Sequence, residues 1–578
     1  MSEGEQLAEL GKRRGFFFPA FESYGGVAGL YTYGPRGAAL KRHIEDAWRD
    51  RFTVKEDNFE IEGPTVTPKA VLDASGHTDT FDDMLVACAD CAETHRADHL
   101  IEDATDIEDA ENFSVDEVAT MLAEHEITCP NCQAPLADQP VEKFNLMFET
   151  VIGPGDGSTG YLRPETAQSI FTEFPRLVEY ARNELPFGVT QIGPGYRNEI
   201  SPRRGLVRVR EFTMAELELF IESAESAPSL DSFDDVTLRL YSTEEQMADG
   251  TSYIECSPAE AFDDGIVGHP WIAYYLGVAA RWYAAIGLDP ERIRFRQHGS
   301  GERAHYATDC WDAEAEIDGA WIEITGFAHR GCYDLEKHDT YSNADYTVFK
   351  PYDEPIDREV AVVDPDMGWL GPEFGGDAPA IAEALGELAE TDPDAFESET
   401  VTVTVAGDTH EIPVDVAGFS IETRTETGER FLPEVIEPSF GIGRIVYALL
   451  AHSIVEDEVD GEPRTYLDIP PTVAPTTVAV FPLMDRDGMG AVAETVAETL
   501  RAAGHVVDYD DSGNIGRRYR RQDEIGTPYC VTIDYDTLED DTVTVRDRDT
   551  TAQTRVSIDA LESELAALLD GQSQIEDD

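Results

Sequence analysis

Arginine side chains are concentrated in one short stretch near the middle of the chain. Arg197 is followed by Arg203, Arg204, Arg208 and Arg210, with Gly and Pro between them. A guanidinium group is a planar fork that binds phosphate oxygens in pairs through charge-assisted hydrogen bonds. The stretch therefore contains the side chains of a nucleotide site, and on its own it is equally compatible with a salt-bridged hairpin on the surface.

The elements that must position these arginines are two strands joined by a turn. In residues 196–220, two β-type runs flank the segment that is rich in Gly, Pro and Arg. Because side chains alternate along a strand, Arg208 and Arg210 are predicted to share one face. By the same alternation, Arg197 and Glu199 are predicted to share a face of the partner strand.

Two Cys-x-x-Cys pairs, Cys88/Cys91 and Cys129/Cys132, flank an acidic segment with helical patterning. Their spacing is typical of a zinc ribbon, in which four thiolates close an inserted loop on a tetrahedral ion. The glycine that often follows the second cysteine of such a knuckle is absent. We predict a structural rather than a catalytic zinc site. The other four cysteines are isolated and are expected to be buried: Cys256, Cys310, Cys332 and Cys530.

A second arginine cluster lies near the end of the chain, where Arg517, Arg518, Arg520 and Arg521 surround Tyr519. Arginines bind phosphates and an aromatic ring stacks on unpaired bases, so this cluster suits RNA. A solvated charge run is the alternative interpretation. The cluster lies in a C-terminal segment, from about residue 473, where strands and helices alternate, which predicts a small mixed sheet covered by helices.

Charge composition sets the conditions in which such a protein works. The chain has 43 basic and 117 acidic residues, a formal net charge of −74 and a pI near 4.2. At molar salt the Debye length is about 3 Å, so repulsion between surface carboxylates is screened. A halophilic cytosol fits this balance. An acidic disordered protein does not, because 26 Phe, 22 Tyr and 6 Trp are spread through periodic segments.

The chain has neither a signal-peptide pattern at its N-terminus nor an apolar run long enough to span a bilayer. We therefore expect a cytoplasmic protein with no membrane association.

The stretch at 196–220 closely resembles motif 2 of class II aminoacyl-tRNA synthetases, and specifically the archaeal and eukaryotic type of glycyl-tRNA synthetase. Motif 1 is matched by the helix around Ala38–Phe52 and the extended run that ends at Pro64, and motif 3 by Glu437–Arg444 with the helix after it. The resemblance spans nearly the whole chain and is weakest at 98–127, 221–290 and 352–428. Further family landmarks are Ser75–His77, Arg96–Asp98, Leu162–Gln168 and Trp321–Arg330.

This resemblance implies an α+β fold, with a class II antiparallel β-sheet core flanked by helices and a C-terminal α/β anticodon-binding domain. The implied catalytic core has four parts, at 1–87, 141–220, 300–351 and 429–472. Three insertions separate them: a Cys-x-x-Cys insertion at 88–140, a second insertion at 221–299 and an acidic insertion at 352–428. The anticodon-binding domain follows at 473–578.

The resemblance also implies roles for individual residues at an ATP site. Arg197 would hold the α-phosphate, Arg444 would contact the γ-phosphate and sandwich the adenine with Phe212, and Glu323 would hold Mg²⁺ near the backbone of Ile324. Hard oxygen ligands suit that ion. Arg197, Arg444 and Glu323 would be the catalytic residues. The other residues implied at the ATP site are Asn198, Glu199, Val207, Arg208, Val209, Arg210, Glu211, Gly441, Ile442 and Gly443.

The implied glycine pocket works by charge and size. Glu165, Glu216, Glu437 and Ser439 would surround the ammonium group, and Arg96 and Arg330 would meet negative charge on the substrate or its adenylate. Larger amino acids would be excluded sterically, so no separate editing domain is expected. Without the resemblance, a structural salt-bridge network is the better interpretation of these three acids. The remaining residues implied at this pocket are Phe212, Thr213, Met214, Ala215, Pro438, Phe440 and Gly441.

The activity implied is ATP-dependent formation of glycyl-adenylate followed by transfer to tRNA(Gly), by a homodimer. Two other hypotheses remain: a class II synthetase for another amino acid, and a non-catalytic relative that binds RNA or a polymerase. One position departs from the family pattern, since His329 stands where Asp is usual, directly before Arg330.

Overall fold

A computed structural model describes residues 3–105, 107, 110, 113–155, 157–202, 205–222, 227–247, 252–299, 309–459, 461–484 and 486–575. Arg203 and Arg204 of the predicted arginine cluster lie outside the described residues. The chain divides into two compact units. One comprises Met1–Tyr346 and Pro433–Asp578, and the other is Thr347–Leu432.

A nine-stranded sheet forms the centre of the first unit. Most neighbouring strands are antiparallel, and the parallel pairs are the second with the third and the eighth with the ninth. One face carries apolar side chains and the other carries polar ones, as strand alternation dictates. The strands, in spatial order, are Ile254–Cys256, Leu238–Tyr241, Ile293–Gln297, Asp309–Ile317, Ala320–Gly331, Glu434–Gly441, Glu211–Ile221, Phe187–Tyr196 and Phe59–Glu60.

Helices bury the apolar face of this sheet. The helix Pro270–Ile286 has eleven buried residues because it is apolar on nearly every side. His269 caps its first turn by accepting a hydrogen bond from the Trp271 N–H at 3.3 Å, and Gly287, at φ 96°, ends it. The same core contains residues of Glu3–Arg14, Pro35–Trp48 and Ile442–His452. The helices Ala167–Tyr180 and Tyr333–Tyr341 carry polar residues that meet the polar face.

Residues 227–299 differ from the insertion expected at 221–299. They contribute three strands of the central sheet, and the helix Pro270–Ile286 lies in the main core. The short strands and the acidic loops between them obscured this role, because a strand of three to five residues has little periodicity to detect.

The Cys-x-x-Cys segment is built on a small sheet of its own. Its strands are Asp82–Ala87, Thr94–Arg96 and Val141–Asn145, and its helices are Ala97–Glu102 and Val115–Glu124. Ser114 and Glu117 form a reciprocal capping box at the start of the second helix. The first of these strands begins six residues before Cys88, and its partner strand, Val141–Asn145, ends five residues after residue 140. The two ends of the Cys-x-x-Cys segment are therefore held together by paired strands.

The second unit, Thr347–Leu432, includes the whole of the acidic insertion predicted at 352–428. It has its own apolar core, which includes Leu370, Ile381, Leu385 and Phe396. Its strands are Val348–Val362 paired with Ser420–Phe431 and Thr400–Val405 paired with Asp408–Pro413, and its helices are Met367–Phe374, Ala378–Thr391 and Val414–Ala417.

The C-terminal segment folds as a five-stranded mixed sheet with helices. Arg548 fastens it to the preceding linker, because its Nη1 donates to the carbonyls of Ile469 at 2.8 Å and Gly526 at 2.9 Å. The strands, in spatial order, are Val507–Tyr509, Val478–Pro482, Tyr529–Ile533, Thr542–Asp547 and Gln553–Ser557, and the helices are Met489–Ala502, Ile515–Asp523, Thr537–Asp540 and Leu561–Leu569.

Smaller elements complete the first unit. They are the paired strands Phe17–Pro19 and Tyr31–Tyr33, the sheet of Val66–Pro68, Ser158–Leu162 and Phe148–Ile152, the paired strands Ile454–Val459 and Glu462–Leu467, and the helices Lys69–Ala74, His77–Thr80, Thr243–Met247 and Pro258–Asp263.

Candidate active site

A cleft crosses the polar face of the central sheet. Its deep part is a cavity of about 220 Å³, and a second cavity of about 470 Å³ adjoins it. Arg197, Glu199, Arg208, Glu323 and Arg444 line both cavities. The two arginines to which the resemblance assigns phosphate contacts therefore face one cleft.

Arg197 follows directly after the strand Phe187–Tyr196 and lies between two aromatic rings. Its guanidinium carbon is 5.2 Å from the centre of the Phe81 ring and 5.4 Å from that of Phe212. Its Nε makes one long hydrogen bond, of 3.4 Å, to the carbonyl of Pro164. The rings fix the side chain while leaving its N–H groups for an anion, which is how a cation on a π face can be presented to phosphate.

Arg444 lies in the first turn of the helix Ile442–His452, on the other side of the cleft. Its Nε donates to the carbonyl of Val207 at 3.0 Å, and its Nη1 lies 3.0 Å from the Glu323 carboxylate. The charge of Arg444 lowers the pKa of Glu323, although burial opposes that shift. Glu323 is therefore ionised at neutral pH and can offer an oxygen ligand to a hard divalent cation.

The segment between the two central strands is a loop, so the predicted alternation of faces does not apply to it. The strand pairing ends at Tyr196 and Glu211. Arg208 forms ion pairs with Glu199 and Asp83, whereas Arg210 donates to the carbonyls of Ala28 at 2.7 Å and Glu199 at 2.8 Å. Arg208 faces the cleft, and Arg210 does not line either cavity.

Four acidic or hydroxyl side chains meet at the deep end of the cleft, which we call the acid pocket: Glu165, Glu216, Glu437 and Ser439. Strand register sets Glu216 opposite Ser439, and the Ser439 hydroxyl donates to Glu216 Oε1 at 2.8 Å. The backbone N–H of Thr166 donates to the other Glu216 oxygen at 2.7 Å. The resulting small, acid-lined cavity suits an ammonium group.

Burial governs the protonation of these acids. It raises the pKa of Glu437 to about 7, a shift that Arg330 opposes and that the charges of Glu216 and Glu165 increase. The pKa of Glu216 is raised by burial and by Glu165. Burial also acts to raise the pKa of Glu165, but His77 and Arg330 outweigh it and lower that pKa.

Arg330 orients one side of the acid pocket. It is only 3% exposed, and its Nη1 lies 2.8 Å from Glu437. Its Nε and Nη2 bind both oxygens of Asp334, at 2.7 and 3.0 Å. A guanidinium held between two carboxylates fixes the direction of Glu437 toward the cavity.

Glu218 was not predicted from the sequence. It lies two residues after Glu216 in the same strand, so the two side chains share one face of the sheet. It is fully buried, and among the described residues neither of its carboxyl oxygens has a hydrogen-bond partner. Burial and the charge of Glu437 raise its pKa well above the usual range, which favours the protonated form of this carboxyl group. The i, i+2 repeat of Glu216 and Glu218 within a strand was the signal in the sequence.

The structure brings most of the predicted residues to the cleft and leaves others in the core. Arg96 lines the second cavity. Ala215, Phe440 and Ile442 are fully buried in the main core. Asn198, Glu211 and Pro438 do not line either cavity, while Leu206 and Gly326 line the deep one without having been predicted. The other predicted residues that line the deep cavity are Val207, Val209, Thr213, Met214, Ile324, Gly441 and Gly443.

Family models and curated relatives agree on the class of this protein. Residues 154–453 match the tRNA synthetase class II core domain (G, H, P, S and T), and residues 477–568 match the anticodon binding domain. The glycine–tRNA ligase of Methanothrix thermoacetophila is 48% identical to this chain, over 99% of this chain and 98% of its own length. That of Methanocaldococcus jannaschii is 45% identical, over 96% of this chain and 97% of its own length. That of Archaeoglobus fulgidus is 44% identical, over 99% of this chain and 98% of its own length.

The chain belongs to the glycine–tRNA ligase family. The class II core model covers five kinds of synthetase, and the near-complete match to glycine–tRNA ligases selects one of them. The α+β fold, with a class II core and a C-terminal anticodon-binding domain, is thereby confirmed.

The departure from the usual glycine–tRNA ligase pattern at His329 leaves the acid pocket intact. His329 Nε2 lies 3.0 Å from Glu434, and its ring centre is 4.5 Å from that of His269. Arg330 lines the deep cavity and His329 does not. The substitution therefore changes the surroundings of the strand rather than the charges that face the cleft.

The anticodon-binding domain places its aromatic residue differently from the expectation. Tyr519 packs against Phe481, with ring centres 5.5 Å apart, and its hydroxyl lies 2.6 Å from Thr532 Oγ1. Arg518 is 2% exposed and donates to the carbonyls of Asp511 and Gly513. Both residues therefore stabilise the fold of the domain. The Tyr519 ring is partly buried because it packs into the apolar core next to its helix. Arg517 is exposed.

The four paired cysteines meet at one point. The sulfur atoms of Cys88 and Cys132 are 3.5 Å apart, and those of Cys91 and Cys129 are 3.7 Å apart. A tetrahedral ion with about 2.3 Å bonds to sulfur would separate its ligands by roughly 3.8 Å, so the cluster fits zinc. All four are free thiols rather than disulfides.

None of the helices that the structure describes is long and apolar enough to cross a membrane.

Proposed function

We propose that this chain joins glycine to tRNA(Gly) in two steps, first forming glycyl-adenylate from ATP and then transferring the glycyl group to the 3′ end of the tRNA. The observation that supports it is one cleft in which Arg197 and Arg444 line both cavities and the acid pocket lines the smaller one. The cleft has room for the phosphates of ATP beside a very small amino acid.

In the first step, a glycine carboxylate oxygen attacks the α-phosphorus, the bond from that phosphorus to the oxygen bridging to the β-phosphate breaks, and pyrophosphate leaves while negative charge grows on the α-phosphate oxygens. Arg197, held between Phe81 and Phe212, would stabilise that charge without reorganising. Arg444 would contact the γ-phosphate and, with Phe212, hold the adenine. Glu323 would hold Mg²⁺, which would supply positive charge to offset that of the phosphates.

The acid pocket would bind the ammonium group of glycine through Glu165, Glu216, Glu437 and the Ser439 hydroxyl. A β-carbon on the substrate would meet close-packed walls, at a cost of about 1–3 kcal/mol or more in a rigid site. The deep cavity of about 220 Å³ is also the space for the adenylate, which leaves little room for a branched side chain.

Pyrophosphate exchange with each amino acid, in molar KCl and in dilute buffer, tests this function. Exchange that depends on glycine supports it. Exchange with serine or threonine but not glycine would indicate a different class II synthetase, and no exchange with any amino acid would indicate a binding protein. Activity that requires molar salt would support a halophilic cytoplasm, which the net charge of −74 favours.

The affinity for glycine is expected to fall below about pH 7. The pKa of Glu437 is raised to about 7, so the carboxylate form is lost as the pH decreases through that value. An ammonium group binds the carboxylate and competes with its proton, so kcat/KM for glycine should drop up to about tenfold per pH unit below 7 and level off above it.

Exchange kinetics at saturating ATP from pH 5.5 to 8.5 measure this dependence. The variant Glu437→Gln cannot titrate, and it should have lower activity with a flat profile in this range. The same acidic limb in wild type and variant would assign the titration to another group.

The cysteine cluster is proposed to hold one structural zinc ion through Cys88, Cys91, Cys129 and Cys132. When bound, the ion would close the insertion on its small sheet. We expect about one equivalent of zinc per chain in carefully purified protein, and its loss in Cys91→Ser but not in Cys256→Ser. Metal analysis measures both, and zinc-free wild-type protein would contradict the proposal.

The chain is also proposed to form a homodimer through the edge of the central sheet at Phe59–Glu60. This region exposes Val54 (66%), Phe59 (37%) and Tyr180 (62%), and Phe59 and Tyr180 border a cavity of about 470 Å³. Exposed apolar side chains grouped in this way are typical of a subunit interface. Light scattering should give twice 63.8 kDa, and a monomer mass would refute the dimer.

A further inference from the structure

An ordered turn with two exposed aromatic rings stands beside the loop that follows Arg197. We call residues 20–30 the aromatic turn; it joins the strands Phe17–Pro19 and Tyr31–Tyr33. Phe21 is 60% exposed and Tyr24 is 91% exposed. Single exposed rings are ordinary on protein surfaces, whereas two on one turn, of which Ala28 lines a groove, are typical of an interaction site.

The aromatic turn is held in one shape by its own backbone. The N–H of Gly26 donates to the Phe21 carbonyl at 3.0 Å, and the N–H of Ala20 donates to the Leu30 carbonyl at 2.9 Å. Phe21 adopts φ 57°, in the left-handed region that a non-glycine residue occupies only when its surroundings require it. The turn therefore presents its rings on a preformed support.

Arg210 attaches the aromatic turn to the loop and brings a positive charge to it. Its Nη1 donates to the Ala28 carbonyl at 2.7 Å, and its backbone N–H donates to the Gly29 carbonyl at 2.8 Å. Within the described ranges Arg210 forms no ion pair, because its side chain contacts only the backbone carbonyls of Ala28 and Glu199. In a chain of net charge −74, this guanidinium stands out as a site for an anion.

Three neighbouring cavities that share lining residues extend from Ala28 of the aromatic turn to the cleft. A groove of about 630 Å³ is lined by Ala28, Arg210, Arg96 and Arg208. The last two also line the cavity of about 470 Å³, which in turn shares Arg197 with the deep cavity. A flexible strand lying on the aromatic turn can thus reach the place where the adenylate would form.

We propose that the aromatic turn is a docking surface for the unpaired 3′ end of the tRNA, with bases stacked on Phe21 and Tyr24 and a phosphate on Arg210. This inference rests on the proposed function, and it adds the surface that guides the accepting end into the cleft. Aromatic rings stack on any base, and an arginine without a carboxylate partner can neutralise a phosphate. At molar salt phosphate contacts weaken, so stacking becomes the stronger part of the contact.

The test uses the full chain with Tyr24→Ala, with Tyr24→Phe as the variant that keeps the ring. Tyr341→Ala removes another exposed tyrosine, 63% accessible, as a surface control. Three quantities are measured: glycine-dependent pyrophosphate exchange without tRNA, single-turnover transfer to a tRNA(Gly) transcript, and binding of that transcript with and without its last four nucleotides.

We expect exchange by Tyr24→Ala to stay within about twofold of wild type, while transfer and binding of the intact transcript fall about fivefold to a hundredfold, the range for loss of one stacked base. The shortened transcript should bind wild type and Tyr24→Ala equally. Tyr24→Phe and Tyr341→Ala should behave as wild type.

Equal losses with intact and shortened transcripts would overturn the proposal, because the turn would then contact another part of the tRNA or none. So would a loss of exchange, which would assign Tyr24 to the amino-acid site, or a changed oligomeric mass, which would assign the turn to a subunit contact. Absence of glycine exchange in the unmodified chain would instead contradict the proposed function itself.

Discussion

Replacing Arg197 with alanine is expected to lower glycine-dependent pyrophosphate exchange by about two to three orders of magnitude, the usual loss when one preorganised donor to a developing oxyanion is removed. Within the described part of the chain, the Arg197 side chain makes one hydrogen bond, of 3.4 Å, so the fold should remain intact when the side chain is removed. The loss should appear in kcat as well as in kcat/KM, because the charge on the α-phosphate grows mainly in the transition state.

Two further variants make this result specific to the guanidinium. Arg197→Lys keeps the charge but not the fork, and it should recover only part of the activity. Arg176→Ala removes a surface arginine that is 69% exposed and should leave exchange unchanged. Near-normal exchange by Arg197→Ala, with thermal unfolding unchanged, would remove Arg197 from the mechanism.

Part of the central sheet was predictable from the sequence. Two paired β runs joined by a segment rich in Gly, Pro and Arg were predicted in residues 196–220, whereas the observed partner strand ends at Tyr196 and the second strand begins at Glu211. The motif 3 segment is likewise a strand followed by an apolar helix, and strand register then brings Ser439 opposite Glu216. The resemblance to a known family, rather than local pattern, placed Glu216 and Ser439 together in the acid pocket.

The loop between those strands could not be predicted in the same way. Its shape depends on contacts with distant segments, such as the hydrogen bond from Arg210 to Ala28 and the ion pair of Arg208 with Asp83. Alternation within a strand contains no information about such partners. The sequence places these arginines near a nucleotide, but tertiary contacts decide which of them face it.

Burial is the other property that local pattern leaves open. Tyr519 was expected to be a stacking surface and Glu218 was not noticed, yet the first is packed against Phe481 and the second lies beneath the acid pocket. Whether a polar side chain is exposed depends on which layer covers its face of the sheet. For Glu218 that layer includes Asp334, which comes from a helix that is remote in sequence.

Replacing Arg330 with methionine is expected to lower the free energy of unfolding by about 3–5 kcal/mol, because it leaves Asp334 and Glu437 buried without their cation. Without Arg330 the pKa of Glu437 would rise further and this carboxyl group would take up a proton, so the loss should be largest above neutral pH and smaller at pH 5. Urea unfolding in molar KCl at both pH values measures this difference.

Arg176→Met, on the exposed side of a nearby helix, should change stability by less than about 0.5 kcal/mol. The double variant Arg330→Met/Glu437→Gln should recover part of the loss, since one of the unpaired charges is then gone. A stability of Arg330→Met equal to that of Arg176→Met would show that the buried carboxylates do not depend on this guanidinium, and the acid pocket would then need another source of charge balance.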